Sequence, residues 1–241
     1  MRSQGSRRRL SSKVALITGG DRGIGLAIAQ ALAAEGCDLV ITGRNQASLK
    51  KAAEQLGGTT VPIVCDVRDA RSVEKVFAAV KKRFRKIDIL INNAGVAHPN
   101  LRVWELPVET WKNVVDTNLS GMFLVTRAAL PLMKRGAAIV NNLSVAAKRV
   151  FPGSSAYNAS KHGALGLTDT LREEVRDRGI RVIALMPGAT DTDMWKTLWP
   201  EAPRKKMMSP ATIARAVVNA LTLPEESTLE ELLILPSVGT L

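Results

Sequence analysis

The feature that most constrains the fold is a regular alternation of short apolar runs with longer amphipathic stretches along the chain. Seven runs are rich in β-branched and apolar residues and have the length of strands: Val14–Thr18, Asp38–Thr42, Thr60–Cys65, Ile87–Ile91, Ala138–Leu143, Ile180–Met186 and Leu232–Leu235. Helical periodicity occupies the intervals at Ile24–Glu35, Ala47–Leu56, Ala70–Phe84, Pro107–Lys134 and Ala156–Arg178. Apolar strands that alternate with helices predict a parallel sheet covered on both faces.

This pattern predicts one α/β domain of the Rossmann type, with a doubly wound seven-stranded parallel sheet and helices on both faces. We find no internal repeat, low-complexity tract or interdomain linker in the 241 residues. We therefore expect residues 13–241 to form the domain and residues 1–12 to form a basic flexible tail.

The composition argues against several classes of protein. No apolar run approaches the ~20 residues that a membrane-spanning helix needs, and no segment has the pattern of a secretory signal. Cys37 and Cys65 are unclustered and indicate reduced thiols, so we expect a cytoplasmic protein. With only two histidines in the chain, no metal site is predicted.

The charge balance is basic, with 34 Lys and Arg against 22 Asp and Glu and a formal net charge of +12. Arg2 and the run Arg7–Arg9 lie in the tail, which we interpret as a disordered leader or a mis-assigned start. Most of the remaining excess of positive charge lies along predicted helices, as in residues 81–86. Few aromatic residues are present to stack on bases, so we expect no nucleic-acid partner, although a basic surface favours anionic ligands.

A glycine-rich turn directly follows the first predicted strand. The segment Thr18–Gly25 contains four glycines and runs straight into the first predicted helix. Glycine permits positive φ and close approach of the backbone, and a helix N-terminus offers free N–H groups to a pyrophosphate. The predicted cofactor contacts in this turn are Gly19, Asp21, Arg22, Gly23, Ile24 and Gly25.

The end of the second predicted strand bears on the choice of cofactor. NAD-preferring enzymes place an acid near this point to bind the ribose 2′-hydroxyl, but this chain has Gly43, then Arg44 and Asn45. Arg44 and Arg22 suit a 2′-phosphate, which guanidinium groups bind through charge-assisted hydrogen bonds. Asp21 argues the other way, because its carboxylate would repel that phosphate. We expect NADP(H), with Arg44 and Asn45 among its contacts.

A series of motifs resembles the short-chain dehydrogenase/reductase family of the single-domain type. These motifs are Thr18–Gly25, Asp66-Val67, Asn92–Gly95, Asn118, Ser144, Tyr157–Lys161 and Pro187-Gly188 followed by Thr192. They occur in the family's order and spacing, from about Lys13 to the C-terminus. The segment Pro187–Met194 is similar to that of the 3-oxoacyl-[acyl-carrier-protein] reductases.

Tyr157 and Lys161 carry the predicted chemistry. Four residues apart on a helix, they share a face. A tyrosine with a pKa of ~10 is a poor acid/base at neutral pH, but an ammonium ~5 Å away at an effective dielectric of ~20 favours tyrosinate by roughly 3 kcal/mol. That corresponds to a pKa about two units lower. Tyr157 is the only tyrosine in the chain, so no other phenol can take this role.

The resemblance assigns roles to further residues. Ser144 holds the substrate oxygen, Asn118 fixes a water that links Lys161 to solvent, and Lys161 also binds the nicotinamide ribose. Additional cofactor contacts follow from the same motifs at Asp66, Val67, Asn93, Ala94, Gly95, Tyr157, Pro187, Gly188, Thr190 and Thr192. The resemblance also implies a homo-oligomer, a tetramer or a dimer, formed through the two long helices predicted at Pro107–Lys134 and Ala156–Arg178.

The substrate side departs from the family pattern. Asn142 stands where an apolar residue is usual, and Leu143 stands where a small residue is usual, so we expect Leu143 to fill part of the pocket beside Ser144. The longest irregular segment, Gly188–Ser209, is interpreted as a lid, the alternative being a disordered excursion.

The function predicted is an NADPH-dependent oxidoreductase that moves hydride between the nicotinamide and a carbonyl or alcohol. A 3-oxoacyl thioester is the favoured substrate. A small ketone, sugar, steroid or pteridine is the alternative within the enzyme class. A catalytically retired NADP(H)-binding sensor is the alternative from another class.

Overall fold

Parallel strands form the centre of the structure, a computed structural model that describes residues 9–239. Seven strands lie in one sheet in the order β3-β2-β1-β4-β5-β6-β7, and every neighbouring pair is parallel. They are β1 (Val14–Thr18), β2 (Asp38–Gly43), β3 (Thr60–Val64), β4 (Ile89–Asn92), β5 (Ala138–Asn142), β6 (Arg181–Pro187) and β7 (Glu231–Ile234). The predicted sheet is confirmed. The strand order reverses at β1 and β4, so their carboxyl ends border the crevice where such sheets bind ligands.

Eight α-helices are present among the described residues. They are α1 (Gly23–Ala34), α2 (Gln46–Leu56), α3 (Ala70–Arg83), α4 (Val108–Val115), α5 (Gly121–Ala129), α6 (Ser155–Val175), the single turn α7 (Trp195–Leu198) and α8 (Pro210–Leu221). Side chains cap the N-termini of three of them: Asn45 accepts a hydrogen bond from Ser48 N, Asp69 from Arg71 N, and Ser209 from Thr212 N. Such caps satisfy backbone N–H groups that have no partner within the helix.

The helices cover both faces of the sheet, as the sequence predicts. Ile17 of β1 packs with α1 and α8 in one buried cluster, whereas its neighbour Leu16 packs with α3, α5 and α6 in another. Successive side chains of a strand point to opposite faces, so a strand that is apolar throughout serves two cores at once.

The long helix predicted at Pro107–Lys134 is confirmed, with one irregularity. Its helical backbone runs from α4 through a π-helical turn at Asp116–Ser120 into α5 and ends in a 3₁₀ turn at Leu130–Leu132. The helix α8 was not predicted, although Ser209 and Pro210 form the N-cap and first-turn pair that marks a helix start.

The folded part of the chain begins before Lys13. Leu10, assigned to the tail, is 7% exposed and belongs to the core cluster that contains α1. The guanidinium of Arg9 pairs with Glu35 at 2.7 Å and donates to Thr222 Oγ1 at 3.0 Å. Residues 1–8 of the predicted tail lie outside the described residues. Within residues 9–239, no helix is long and apolar enough to cross a membrane.

Candidate active site

The glycine-rich turn leaves the carboxyl end of β1 and is fastened to the end of β4. Asn93 Nδ2 donates to the carbonyls of Thr18 and Gly19 at 2.9 and 3.0 Å, and Thr18 Oγ1 accepts from the backbone of Asn93 and Ala94. A Cβ on Gly25 would lie 2.2 Å from Gly19 O, so only glycine fits where the turn enters α1.

The N-terminus of α1 lacks the side-chain cap that α2, α3 and α8 possess, and its first turn holds no acidic residue. Gly23, in the left-handed region at φ +55°, brings the backbone into this helix with no Cβ in the way. The uncapped N–H groups and the positive end of the helix dipole therefore suit an anionic group.

At the end of β2, the side chain of Asp21 lies against Gly43. A Cβ on Gly43 would be 2.8 Å from Asp21 Oδ1, and Asp21 Oδ2 accepts a hydrogen bond of 2.7 Å from Ser48 Oγ. Arg22 and Arg44 are exposed, as is Asn45. Two guanidiniums and one carboxylate thus border the pocket predicted for the adenosine ribose.

Asp66 and Val67, two of the predicted cofactor contacts, lie just beyond β3. The guanidinium of Arg68 binds the Asp66 carboxylate and holds its pKa below the usual range, and Arg68 Nη1 also donates to Asn113 Oδ1 of α4 at 2.7 Å. Val67 packs on Gly121, whose Cβ would lie 2.7 Å from a Val67 methyl. Arg68 therefore ties this part of the pocket to α4.

Helix α6 presents Tyr157 and Lys161 toward the end of β5. Lys161 Nζ lies 5.6 Å from the centroid of the Tyr157 ring and donates to Asn142 O at 3.0 Å. The Ser144 hydroxyl hydrogen-bonds with the Tyr157 phenol, and Ser144 Oγ also accepts from Ala146 N at 3.1 Å. Three side chains predicted for one site thus converge at this strand end.

The π-helical turn places Asn118 beside this group. Its Nδ2 donates to Val96 O at 2.9 Å and to Ser160 Oγ at 3.1 Å, and its Oδ1 accepts from Val96 N at 2.8 Å. A Cβ on Gly95 would lie 3.4 Å from Asn118 Oδ1 and 3.9 Å from Lys161 Nζ. The Asn118 amide therefore joins the segment after β4 to α6.

The pKa of Tyr157 differs in direction from the sequence expectation. Burial raises the pKa of the Tyr157 phenol, and the hydrogen bond with Ser144 only partly opposes this rise. Burial also lowers the pKa of Lys161 to about 8. The expected lowering of the tyrosine pKa neglected desolvation, which penalises the charged form of both groups.

Asn142 connects the two halves of the site. Its Nδ2 donates to Asn93 Oδ1 at 2.8 Å, and its carbonyl accepts from Lys161. Asn93 in turn binds the carbonyls of the glycine-rich turn, so hydrogen bonds run without a break from that turn to Lys161. The residue that departs from the family pattern is thus part of the site's framework.

Leu143 does not line the pocket, contrary to expectation. It is 3% exposed and packs in a small core cluster with Met122, Ala164 and Met186. Its neighbour Ser144 lies in the site, and successive residues of an extended segment point in opposite directions.

The segment after β6 lies over the glycine-rich turn. Gly188 N donates to Ile234 O at 2.7 Å, and Thr190 Oγ1 donates to Gly188 O at 3.0 Å. A methyl of Thr192 lies 3.4 Å from the position of a Cβ on Gly23. A bridge between Thr190 and Met208 closes the predicted lid at its base.

The sequence profile described as short chain dehydrogenase matches residues 13–203, most of the chain. The chain belongs to the short-chain dehydrogenase family. It is an oxidoreductase of the type that acts on carbonyl or alcohol groups.

Known members resemble this short-chain dehydrogenase over most of their length. The 3-oxoacyl-[acyl-carrier-protein] reductase of Thermotoga maritima is 39% identical over 212 residues, 86% of this chain and 85% of the relative. The 3-ketoacyl-(acyl-carrier-protein) reductase of Brucella melitensis, solved with NADH, has a TM-score of 0.88 at 28% identity, with 95% and 98% of the two chains covered. The alcohol dehydrogenase of Thermococcus sibiricus, solved with 5-hydroxy-NADP, has a TM-score of 0.87 at 34% identity, with coverage of 93% and 96%.

Sequence reasoning missed three contacts that shape this short-chain dehydrogenase site. They are the ion pair of Arg68 with Asp66, the hydrogen bond from Ser48 to Asp21, and the hydrogen bond from the Asn142 side chain to Asn93. The spacing of Asp66 and Arg68 could have indicated their ion pair. The other two contacts join segments that only the fold brings together.

Proposed function

We propose that this short-chain dehydrogenase reduces a carbonyl with NADP(H), using Tyr157 as the proton donor. The observation that carries the proposal is the convergence of Tyr157, Lys161 and Ser144 at the end of β5. They lie on the same edge of the sheet as the uncapped N-terminus of α1.

The residues present fit a dinucleotide. The N-terminus of α1 would receive its pyrophosphate, and Gly19, Gly23, Ile24 and the Thr192 segment would enclose it. Arg22 and Arg44 would bind a 2′-phosphate, with Asn45 at the rim. The adenine end would contact Asp66 and Val67. The nicotinamide end would meet Ala94, Gly95, Pro187, Gly188, Thr190 and Lys161.

The bound nicotinamide would supply the hydride for reduction. The Ser144 hydroxyl donates a hydrogen bond to the substrate oxygen and keeps it within reach of Tyr157. Because burial raises its pKa, the phenol retains its proton at neutral pH and can give it to the oxygen as negative charge develops there. The Lys161 ammonium then stabilises the tyrosinate that remains. Asn118 holds α6 in position.

The substrate proposed first is a 3-oxoacyl thioester. Support comes from the reductases that match most of this chain. With Leu143 directed into the core, the space beside Ser144 is left to the lid and the substrate. A small ketone or alcohol is the second candidate, favoured by the likeness to an alcohol dehydrogenase.

The test is NADPH consumption with a short 3-oxoacyl thioester, run in parallel with a small ketone. Turnover of either is expected to disappear in Tyr157→Phe, whereas NADPH binding followed by calorimetry is retained. Binding without turnover of any carbonyl by the wild type would refute catalysis and favour a cofactor-sensing role.

We also propose a homo-oligomer, a tetramer or a dimer. Trp111 on α4 and Phe123 on α5 are large apolar side chains that are 41% and 47% exposed, and burial against a second copy would remove them from water. Helix α4 packs against α6, so the two helix regions predicted for assembly adjoin. Light scattering tests the proposal, and a monomer at micromolar concentration would refute it.

A further inference from the structure

The carboxylate of Asp21 occupies the space that a side chain at the end of β2 would fill. A Cβ built on Gly43 would lie 2.8 Å from Asp21 Oδ1 and 3.3 Å from its Cγ. Real Cβ atoms do not come that close, so a side chain at position 43 would displace the Asp21 carboxylate from this position. The acid that an NAD-binding sheet carries at its second strand end is thus supplied here by the glycine-rich turn.

Asp21 is held in this position by a hydrogen bond from Ser48. Ser48 Oγ donates to Asp21 Oδ2 at 2.7 Å, and Ser48 is itself fixed because Asn45 Oδ1 accepts from its backbone N–H at 3.0 Å. Among residues 9–239, no lysine or arginine comes within ion-pair distance of Asp21. One carboxylate oxygen remains for a further donor.

The two guanidiniums beside Asp21 are also not engaged in ion pairs. Arg22 and Arg44 are exposed and have no carboxylate within 4.0 Å in the described part of the chain. The pKa of Asp193 is lowered mainly by Lys196, with a smaller contribution from Arg22, and the pKa of Asp66 is lowered mainly by Arg68, with a smaller contribution from Arg44. The ribose pocket therefore offers both an acceptor for hydroxyl groups and two donors for a phosphate.

We propose that Asp21 makes this chain a dual-cofactor enzyme that binds NAD(H) as well as NADP(H). Its carboxylate accepts a hydrogen bond from a hydroxyl of the adenosine ribose in NAD(H). When NADP(H) binds, Arg22 and Arg44 attract its 2′-phosphate and the Asp21 carboxylate repels it. This repulsion limits the preference for NADP(H) over NAD(H). This inference rests on the proposed function, because it presupposes that the pocket binds a nicotinamide dinucleotide.

The test measures binding of ADP-ribose and 2′-phospho-ADP-ribose by calorimetry, so that no turnover is required. The variant Asp21→Asn keeps the shape of the side chain and removes its charge. We expect the 2′-phosphorylated ligand to bind about tenfold more tightly and ADP-ribose about tenfold more weakly, since each effect involves one charged interaction. The ratio of the two dissociation constants then changes about 100-fold.

A matched control removes one negative charge elsewhere. Glu226 is exposed and precedes β7, at the amino edge of the sheet and opposite the site. Glu226→Gln is expected to leave the ratio within about twofold of the wild-type value, because salt screens distant surface charges. Thermal unfolding of each variant verifies that the fold is retained.

Two outcomes overturn the inference in distinguishable ways. If the wild type binds both ligands and Asp21→Asn leaves their ratio unchanged, Asp21 does not determine selectivity and only this inference fails. If the wild type binds neither ligand, the proposed function itself fails. A wild type that binds both ligands, with the ratio shifted by Asp21→Asn and not by Glu226→Gln, supports the inference.

Discussion

Replacing Lys161 with methionine is expected to stabilise the cofactor-free protein while it abolishes activity. The Lys161 side chain is among the most buried charged groups in the described structure, with 5% of the residue exposed. Its described hydrogen bond is a single one, to Asn142 O. Removing an ammonium from water without an ion-pair partner disfavours its charged form, which is why its pKa falls to about 8.

The size of the effect follows from proton linkage. At about 1.4 kcal/mol per pKa unit, the difference between 10.5 and about 8 makes the charged side chain destabilising by about 3 kcal/mol at pH 7. Between these two pKa values the unfolded chain binds more protons than the folded chain, so wild-type stability rises with pH. By pH 9.5 the penalty falls to about 1 kcal/mol.

Lys161→Met keeps most of the length of the side chain, loses the charge and forfeits one hydrogen bond worth about 1 kcal/mol. We therefore expect the variant to be about 2 kcal/mol more stable than the wild type at pH 7, and its advantage to shrink by about 2 kcal/mol by pH 9.5. Measurements stay below pH 10, because the raised pKa of Tyr157 lowers stability as pH rises above the ordinary tyrosine range.

Urea unfolding of both proteins at several pH values between 6.5 and 9.5 measures this difference. The exposed Lys134 provides the control, because Lys134→Met removes a charge that is already in water and its curve should run parallel to that of the wild type. An advantage of Lys161→Met that does not change with pH, or a variant less stable than the wild type at pH 7, would refute the reasoning.

Three further predictions use the same fold. Gly25→Ala should lose dinucleotide binding and at least 2 kcal/mol of stability, because the new Cβ would collide with backbone atoms. Gly166→Ala is the control: it has open space around it in the middle of α6 and should raise stability by about 0.5–1 kcal/mol. Calorimetry measures the binding and urea unfolding measures the stability of both variants. Asn142→Ala should cost about 1–3 kcal/mol in urea unfolding and raise the Kd for NADPH, because it leaves Asn93 Oδ1 unpaired; an unchanged Kd would contradict this link. Trp111→Glu together with Phe123→Glu should shift the mass found by light scattering toward the monomer, and an unchanged mass would place the contact elsewhere.

The sheet was predictable because each of its five inner strands, β1, β2, β4, β5 and β6, contributes to two cores at once. A run such as Val14–Thr18 is buried on both faces, so its apolar residues have no gaps and its limits are visible in the sequence. Helix α8 was missed because its N-terminal signal, Ser209-Pro210, also reads as the end of an irregular segment. The π-helical turn between α4 and α5 carries no glycine or proline within Asp116–Ser120, and the periodicity did not indicate it.

The positions of the site residues were more predictable than their environments. The turn Thr18–Gly25 and the pair Tyr157 and Lys161 are local patterns whose geometry follows from a turn and from helical spacing. The contact of Asp21 with Gly43 joins two strand ends that are adjacent only in the folded sheet. No local pattern could have indicated it.

Helical spacing fixes how near Lys161 lies to Tyr157, but burial decides the direction in which their pKa values move. With Lys161 Nζ 5.6 Å from the Tyr157 ring, attraction alone would favour tyrosinate. Burial of both groups opposes both charges and keeps the phenol protonated and the ammonium easily discharged. A site in this state is ready to give a proton, whereas burial disfavours tyrosinate, the form that accepts one, and Lys161, whose pKa is about 8, still supplies a positive charge at neutral pH. In the oxidative direction Tyr157 must accept a proton. We therefore expect oxidation to depend on the positive charge of the bound oxidised nicotinamide, and to do so more strongly than reduction depends on the reduced nicotinamide, which is neutral.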